Sequence, residues 1–412
     1  MRLFVELSNE NIVRLQPDIG YLHRGTEKLF EYMEYTKAIP YFDRFDYTGT
    51  HICEHSYILA QEKLLNLKIP VITGIERVLL NELMRLSSHL LALTTSAMDI
   101  GALSPFLWAF DIREDICLFF ENLTGARMHT ALYKWGGLNF TIRLEDNEKL
   151  YEIIIKLEGL LKETVDSLCS LSHIWENRMS NIGILDYKLI KKYGLSGVLA
   201  RSSGFYDDLR VSKPYECYKS LPIPGAFSTK GDNLDRFLLR IEETFISIYY
   251  MANCLLPITL AFKLNSTELR YKDQQHFKYP ELSCFNSDNI KNNKELFETT
   301  IKKMSHSYKA FDKKVHYSME YIISEFISYS KMSLNISGRS NVFIESPKGS
   351  FGLSLISNGH RVGKFPRPNR LKVRSPGFFN LASLNEVSSG HSIADMLSYL
   401  STLDLILGEV DR

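Results

Sequence analysis

The opening stretch, RLFVELSNENIVRLQP, alternates apolar and polar positions around Ser8-Asn9-Glu10-Asn11, a pattern of period two that predicts a β-hairpin. From Thr26 to Leu171 the apolar spacing changes to steps of three and four. This predicts helices over 26–38, 50–66, 73–97, 107–123 and 146–171, punctuated by Pro40, Pro70, Pro105 and the Gly136-Gly137 pair. Residues 180–230 turn rich in glycine and proline and read as loops, and a long helix then begins near Asp232. The last seventy residues regain strand character in NVFIES, GLSLIS and RLKVRSP, and a helix over His391 to Leu403 follows. The predicted class is α+β, with a small N-terminal sheet and a C-terminal sheet flanking a central helical bundle. The expected divisions are 1–49 (hairpin and first helix), 50–180 (helical bundle) and 181–412 (α+β), the last with a Lys- and Asn-rich insertion around 265–340.

One segment needs a decision between two solvents. Phe245 to Phe262, FISIYYMANCLLPITLAF, is roughly as long as a bilayer core demands, but Asn253 and Pro257 interrupt it. Upstream, Leu234, Leu238, Ile241, Phe245 and Ile248 recur at helical spacing, so the expectation is a core helix that breaks at the proline.

Composition narrows the function classes. The 412 residues are 45% hydrophobic, enough for a sizeable core, and 49 basic residues nearly cancel 48 acidic ones. No global field therefore favours nucleic acid or an anionic membrane as the main partner. The six cysteines lie far apart with no CxxC pair, which argues against a ribbon zinc site, a chain-borne iron–sulfur cluster or a disulfide framework and predicts reduced, mostly buried thiols. No secretory or Arg-rich targeting sequence is expected at the start.

The pentad His51-Ile52-Cys53-Glu54-His55 spells H-x-x-E-H, the ligand order of inverted zinc peptidases. On a helix the two histidines share a face, and Glu54 stands where a base for a metal-bound water would be. A catalytic zinc needs a third ligand and an open position, and no downstream segment offers a clear one. A zinc-dependent hydrolase on His51, Glu54 and His55 is one alternative, and an ordinary pair of helix histidines is the bland one.

The richest chemistry lies in YLHRGTEKLFEYMEYTKAIPYFDRFDY, residues 21–47, which brings cations, a phenol and carboxylates together without a metal cage. With the ending GEVDR and DIGYLHRGTEKL, PYFDRFDY, RVLLNELMRLSSHLLAL, DIGALSPF, TGARMH, SGVLARSSG, GDNLDRFLLRIEE, ESPKGSFG and RSPGFFNL, it resembles the 49-kDa quinone-site subunit of respiratory complex I, the NADH:ubiquinone oxidoreductase. The HRGTEKL form is more similar to the respiratory subunit than to its chloroplast relative. The resemblance implies a hydrogenase large-subunit-like fold without hydrogenase chemistry, because the paired cysteines that hold nickel and iron in those relatives are missing.

It also implies a role for this chain as part of the proton-translocating NADH:ubiquinone reductase, inactive alone. The chain would form a quinone-reduction chamber beside a terminal 4Fe–4S cluster held by a neighbouring small subunit, and would itself hold no metal or flavin. Tyr47 matches the quinone-headgroup tyrosine, and a phenol can hydrogen-bond a quinone carbonyl and release its proton. Asp99 matches the family's aspartate in a proton relay, with a helix-end cap as its bland alternative. Arg24 and Arg44 match arginines near the cluster, and His129 matches a histidine implicated in redox-linked proton uptake. Read alone, these would be surface cations and a satisfied core histidine.

Implied partners are the small cluster-bearing subunit, the 30-kDa-type peripheral subunit and the membrane subunit at the quinone entrance. The family carries a GPQHPAAHG-like loop upstream of the segment matching Met1-Arg2-Leu3, whose last histidine partners the tyrosine; this sequence starts after it. A separate polypeptide supplying that loop, a chain that begins earlier, and a different donor all remain open, as does a structural subunit that has lost quinone binding. The implied location is the matrix side of the mitochondrial inner membrane, in the peripheral arm. Heavy use of Ile, Lys, Asn, Phe and Tyr fits an AT-rich organellar genome.

Overall fold

The computed structural model describes residues 1–140, 142–170, 172–221, 225–265, 319–320, 323–324, 337–359 and 367–412. The expected hairpin is formed by β1 (Arg2–Ser8) and β2 (Asn11–Asp18), antiparallel, with Asn9 in the left-handed region (φ 57°) that asparagine tolerates. Its inward Ile12 and Leu15 are buried, and they pack on C-terminal residues that include Leu384, Met396 and Leu403.

The helix expected over 26–38 ends early. Helix α1 covers only Thr26–Phe30, and after a series of turns α2 covers Ile39–Phe42. The turns free the Tyr35 carbonyl, which accepts a hydrogen bond from the Tyr57 hydroxyl at 3.1 Å, and they bury Tyr35, Ala38 and Ile39. Tertiary demand here overrides periodicity.

Four long helices follow: α3 (Thr50–Leu65), α4 (Val71–Ile100), α5 (Ser104–Thr124) and α6 (Leu144–Ser170). Pro105 sits in the first turn of α5, where its missing N–H costs nothing. Between α5 and α6, β3 (Tyr133–Lys134) and β4 (Gly137–Leu138) make a two-rung hairpin around Gly136. Short helices α7 (Ser172–Met179), α8 (Tyr187–Tyr193), α9 (Val198–Arg201) and α10 (Leu209–Ser212) and a 3-10 turn (Glu216–Ser220) lead to α11 (Asn233–Asn265).

Helix α11 lies along α4, and the core gathers Leu79, Leu83, Leu86 and Leu90 of α4 with Ile246 and Tyr250 of α11. Each such fully buried aliphatic side chain contributes roughly 1.5–3 kcal/mol. Contrary to expectation, α11 does not break at Pro257. Met251, Cys254, Leu255 and Ile258 are buried on both sides of the proline, so packing holds the segment helical. Among the described residues no helix is long and apolar enough to cross a membrane.

The C-terminal sheet is antiparallel in the order β5 (Ser337–Ser346), β6 (Gly349–Asn358), β7 (Arg370–Arg374), and the β5–β6 connection is the dipeptide Pro347-Lys348. Helices α12 (Pro376–Ala382), α13 (Leu384–Ser388), α14 (Ile393–Thr402) and α15 (Leu407–Asp411) complete the chain. A capping box of Ser392 and Asp395 starts α14. Cys53 and Cys254 are buried free thiols, and Cys117 and Cys217 are half-buried ones. The solvated insertion expected around 265–340 lies almost wholly outside the described residues.

The middle of this core is charged. Along α4, Arg77, Glu82, Arg85 and His89 are all buried. Arg77 pairs with Glu62 (2.7 Å) and Glu216 (2.9 Å); Glu82 accepts from the Tyr218 hydroxyl (2.5 Å), the Ser247 hydroxyl (2.8 Å) and Arg210 (3.3 Å). Arg201 bridges Glu243 (2.6 Å) and Glu345 (2.8 Å), and His89 lies 3.0 Å from Glu243. Such charges persist in a core only when paired and hydrogen-bonded.

Candidate functional site: the Tyr47 turn and its basic face

The turn between α2 and α3 alternates buried and exposed positions. Asp46 and Thr48 are buried, while Tyr47 between them is 48% exposed, and its hydroxyl has no hydrogen-bond partner among the described residues. The Asp46 carboxylate accepts the Thr48 N–H (3.1 Å) and hydroxyl (2.8 Å). Lys348, delivered by the β5–β6 turn, donates to both Asp46 oxygens (3.1 and 3.0 Å) and to the Thr48 hydroxyl (2.7 Å), and Thr48 in turn meets Ser88 of α4 (3.2 Å). Burial works against the Lys348 ammonium, but the carboxylates of Asp404 and Asp46 outweigh it and hold the ammonium charged.

Small residues make this approach possible. A Cβ on Gly49 would meet the Asp46 carboxylate at 2.8 Å, and one on Gly408 would meet the Phe45 carbonyl oxygen at 2.7 Å. Tyr47 is thus presented by a turn clamped from below by a buried ion pair and from the side by the chain's last residues.

The two distant segments singled out in the sequence, 21–47 and 408–412, are bound together. Asp411 accepts the N–H groups of Gly20 (2.9 Å) and Leu22 (2.7 Å), and its carbonyl accepts from His23 Nδ1 (2.7 Å). The Arg24 N–H donates to the Arg412 carbonyl (3.3 Å), and Arg412 reaches Glu27 (3.3 Å) and the Val373 carbonyl (2.8 Å). A cavity of about 390 Å³ lies at this junction, lined in part by His23, Lys28, Arg370, Phe378 and Asp411.

Arg24, Arg44 and His129 share one exposed face. The Arg24 guanidinium reaches toward the Arg44 carbonyl (3.4 Å), and that of Arg44 donates to the Pro40 carbonyl (2.5 Å). His129 hydrogen-bonds the Asp43 carbonyl and lies beside Arg44; partial burial and then the Arg44 charge lower its pKa, opposed by the bond to Asp43. Among the described residues the hydrogen bonds of the Arg24 and Arg44 guanidinium groups end on backbone carbonyls and on no carboxylate, so their positive field projects outward.

Asp99 stands apart. It occupies the exposed last turn of α4, eleven residues beyond Ser88, which is roughly 16 Å along the axis. It shares no hydrogen bond with Tyr47 among the described residues; its partner is Ser401 of α14, and burial raises its pKa before that bond partly lowers it. The capping alternative is corrected: an acid caps a helix N-terminus, and Asp99 is at the C-terminal end, ahead of the left-handed Gly101.

The zinc alternative meets a different obstacle. His51, Glu54 and His55 are fully buried, and each is engaged by a different protein group. His51 Nε2 meets the Thr130 hydroxyl (2.8 Å), Glu54 accepts the N–H groups of Leu132 (3.0 Å) and Tyr133 (2.8 Å), and His55 lies between Glu216 (3.1 Å) and Asn81 (2.8 Å). Burial drives the His51 pKa down to about 3. Their donor atoms do not converge, and no group of three His, Cys, Asp or Glu able to hold a metal occurs among the described residues.

Sequence reading missed Lys348, Asp46, Thr48 and Glu409 as a unit. Lys348 and Glu409 did lie inside the quoted segments ESPKGSFG and GEVDR, and a lysine in a hairpin turn between two apolar strands was the available signal.

The geometry defines a helical-core α+β protein with a rigidly mounted phenol beside a basic face, and comparison with known proteins supplies its kinship. Residues 99–412 match the family model of the respiratory-chain NADH dehydrogenase 49-kDa subunit. The whole chain is 37% identical to NADH dehydrogenase [ubiquinone] iron-sulfur protein 2 of Nephroselmis olivacea, covering 93% of that protein. It is 36% identical to the NADH-ubiquinone oxidoreductase 49 kDa subunit of Acanthamoeba castellanii, covering 92% of it, and 36% identical to iron-sulfur protein 2 of Arabidopsis thaliana, covering 94% of it. The chain belongs to the 49-kDa subunit family of NADH:ubiquinone oxidoreductase, complex I of the respiratory chain.

Proposed function

We propose that this subunit forms the quinone-reduction chamber of complex I, on the matrix side of the mitochondrial inner membrane, and takes part in coupling quinone reduction to proton translocation. The observation that carries the reading is the Tyr47 turn: an exposed phenol with a free hydroxyl, held between two buried residues fixed by Lys348. Preorganisation of this kind places a donor without leaving it to a mobile loop.

Reducing a quinone to a quinol takes two electrons and two protons. The electrons would come from the 4Fe–4S cluster of the neighbouring small subunit, which the Arg24, Arg44 and His129 face would cover. There the cations favour the more negative, reduced state of the cluster. Tyr47 donates a hydrogen bond, and then a proton, to a quinone oxygen as that oxygen gains electron density and basicity. A phenol with a reference pKa near 10 gives up its proton only to such a strong base. Asp99, roughly 16 Å farther along α4 than Ser88, serves proton supply at the other end of the chamber. Beyond the small subunit, partners in this reading are the 30-kDa-type subunit and the membrane subunit at the quinone entrance.

Tyr47→Phe tests this. The expected outcome in assembled complex is a fall of about 10²-fold in NADH:quinone turnover with NADH oxidation by artificial acceptors intact. Normal quinone turnover would remove Tyr47 from the role and leave a structural subunit as the reading.

A further inference from the structure

The H-x-x-E-H pentad, buried and without a metal role, has work of another kind. Three consecutive backbone N–H groups, those of Ala131, Leu132 and Tyr133, end on two carboxyl groups: Asp43 takes the first (3.1 Å), and Glu54 takes the second and third (3.0 and 2.8 Å). Just before them His51 meets the Thr130 hydroxyl (2.8 Å), and His129 hydrogen-bonds the Asp43 carbonyl. Ala131 sits at φ +43°, a region that L-residues with a Cβ avoid, and its carbonyl accepts from Asn139 (2.7 Å). A segment in that conformation persists only when its surroundings over-determine it.

We infer that Asp43 and Glu54 are a positioning pair for His129, holding the strained segment behind it by its amides so that the imidazole stays beside Arg44. The two carboxyls lie close enough for the negative charge of Asp43 to disfavour that of Glu54. Burial raises both acids, Asp43 to about 6 and Glu54 further. The charged and titratable groups around it are Arg44 next to Asp43, His51 and Cys53 of α3, Tyr133 of β3 and His129 itself.

This inference rests on the proposed role of His129 and can fail separately from it. The test is an EPR-monitored redox titration of the terminal cluster in assembled complex at several pH values, paired with amide hydrogen exchange of residues 131–133. His129→Met should flatten the pH dependence of the potential. Asp43→Ala should lose most of that dependence and speed exchange at Ala131. Asp43→Asn should retain both wild-type behaviours, because its amide oxygen can accept the Ala131 N–H as the carboxylate does.

If Asp43→Ala does not assemble, Glu54→Gln decides. Glutamine can accept only one of the two N–H groups, so the freed His129 loses the bond that favours its charged form and the pH-dependent region moves to lower pH. Wild-type pH dependence in Asp43→Ala or Glu54→Gln, with His129→Met flattened, overturns the inference alone. Asp43→Asn behaving like Asp43→Ala also overturns it, since charge and not the clamp would then matter. An unchanged slope in His129→Met overturns the role of His129, and the clamp then stands or falls on the exchange rates.

Discussion

Two neighbouring regions carry similar chemical equipment and differ in where it points. The first turn and a half of α3 holds two histidines and a glutamate, all buried, each on a separate protein partner. The turn before it and the loop after α5 hold Arg44, Tyr47 and His129, all exposed, supported mainly through the backbone and through buried neighbours such as Asp46, Thr48 and Asp43. A residue type suited to catalysis marks a site only where its working atoms are left unsatisfied at an accessible surface. The buried set is the foundation, and the exposed set is what it presents.

The strongest way to break this contrast is to remove the foundation. Lys348→Met leaves Asp46 buried and unpaired, a loss of about 3–5 kcal/mol, and should deplete the assembled complex on native gels. Normal assembly would mean that the Tyr47 turn is held some other way. Quinone turnover in Tyr47→Phe, the next largest effect, touches only the presented set.

A pH experiment sharpens the contrast further. Glu409 is pushed up to about 8 by burial and by the neighbouring Asp46 charge. Because its folded value lies above the ordinary 4.5, the stability it contributes is complete at low pH and is lost as pH climbs through about 8. Quinone reductase activity should therefore decay faster on incubation above that pH, and Glu409→Gln should lessen the dependence. An equally steep decay in Glu409→Gln would assign the alkaline sensitivity elsewhere. The smallest effect belongs to the pentad's outer member: His55→Gln should leave turnover per assembled complex unchanged, with or without a zinc chelator, and abolished turnover would restore a catalytic reading of the motif.

Much of the fold was legible because its elements are long and periodic. The hairpin, helices α3 to α6 and α11, and the three C-terminal strands follow from period two or from steps of three and four. The pattern failed where tertiary contacts overruled it: α1 stops at Phe30 so that Tyr35 can reach Tyr57, and α11 continues through Pro257 because its flanks are packed. Periodicity says nothing of the buried charges of α4, because Arg77 and Glu82 take their partners from α3, α10 and the 3-10 turn, the last two far away in sequence. Candidate site residues were legible only through resemblance. No periodicity distinguishes exposed Tyr47 from buried Tyr57, and Lys348 lies 302 positions from the Asp46 that it holds.

The most direct test of the account is photo-crosslinking of intact membranes with an azido-ubiquinone, followed by mass spectrometry of the labelled peptides. The account predicts labelling within the α2–α3 turn around Tyr47, diminished by excess ubiquinone. Competed labelling confined to surfaces remote from Tyr47, with that turn unlabelled, would contradict it.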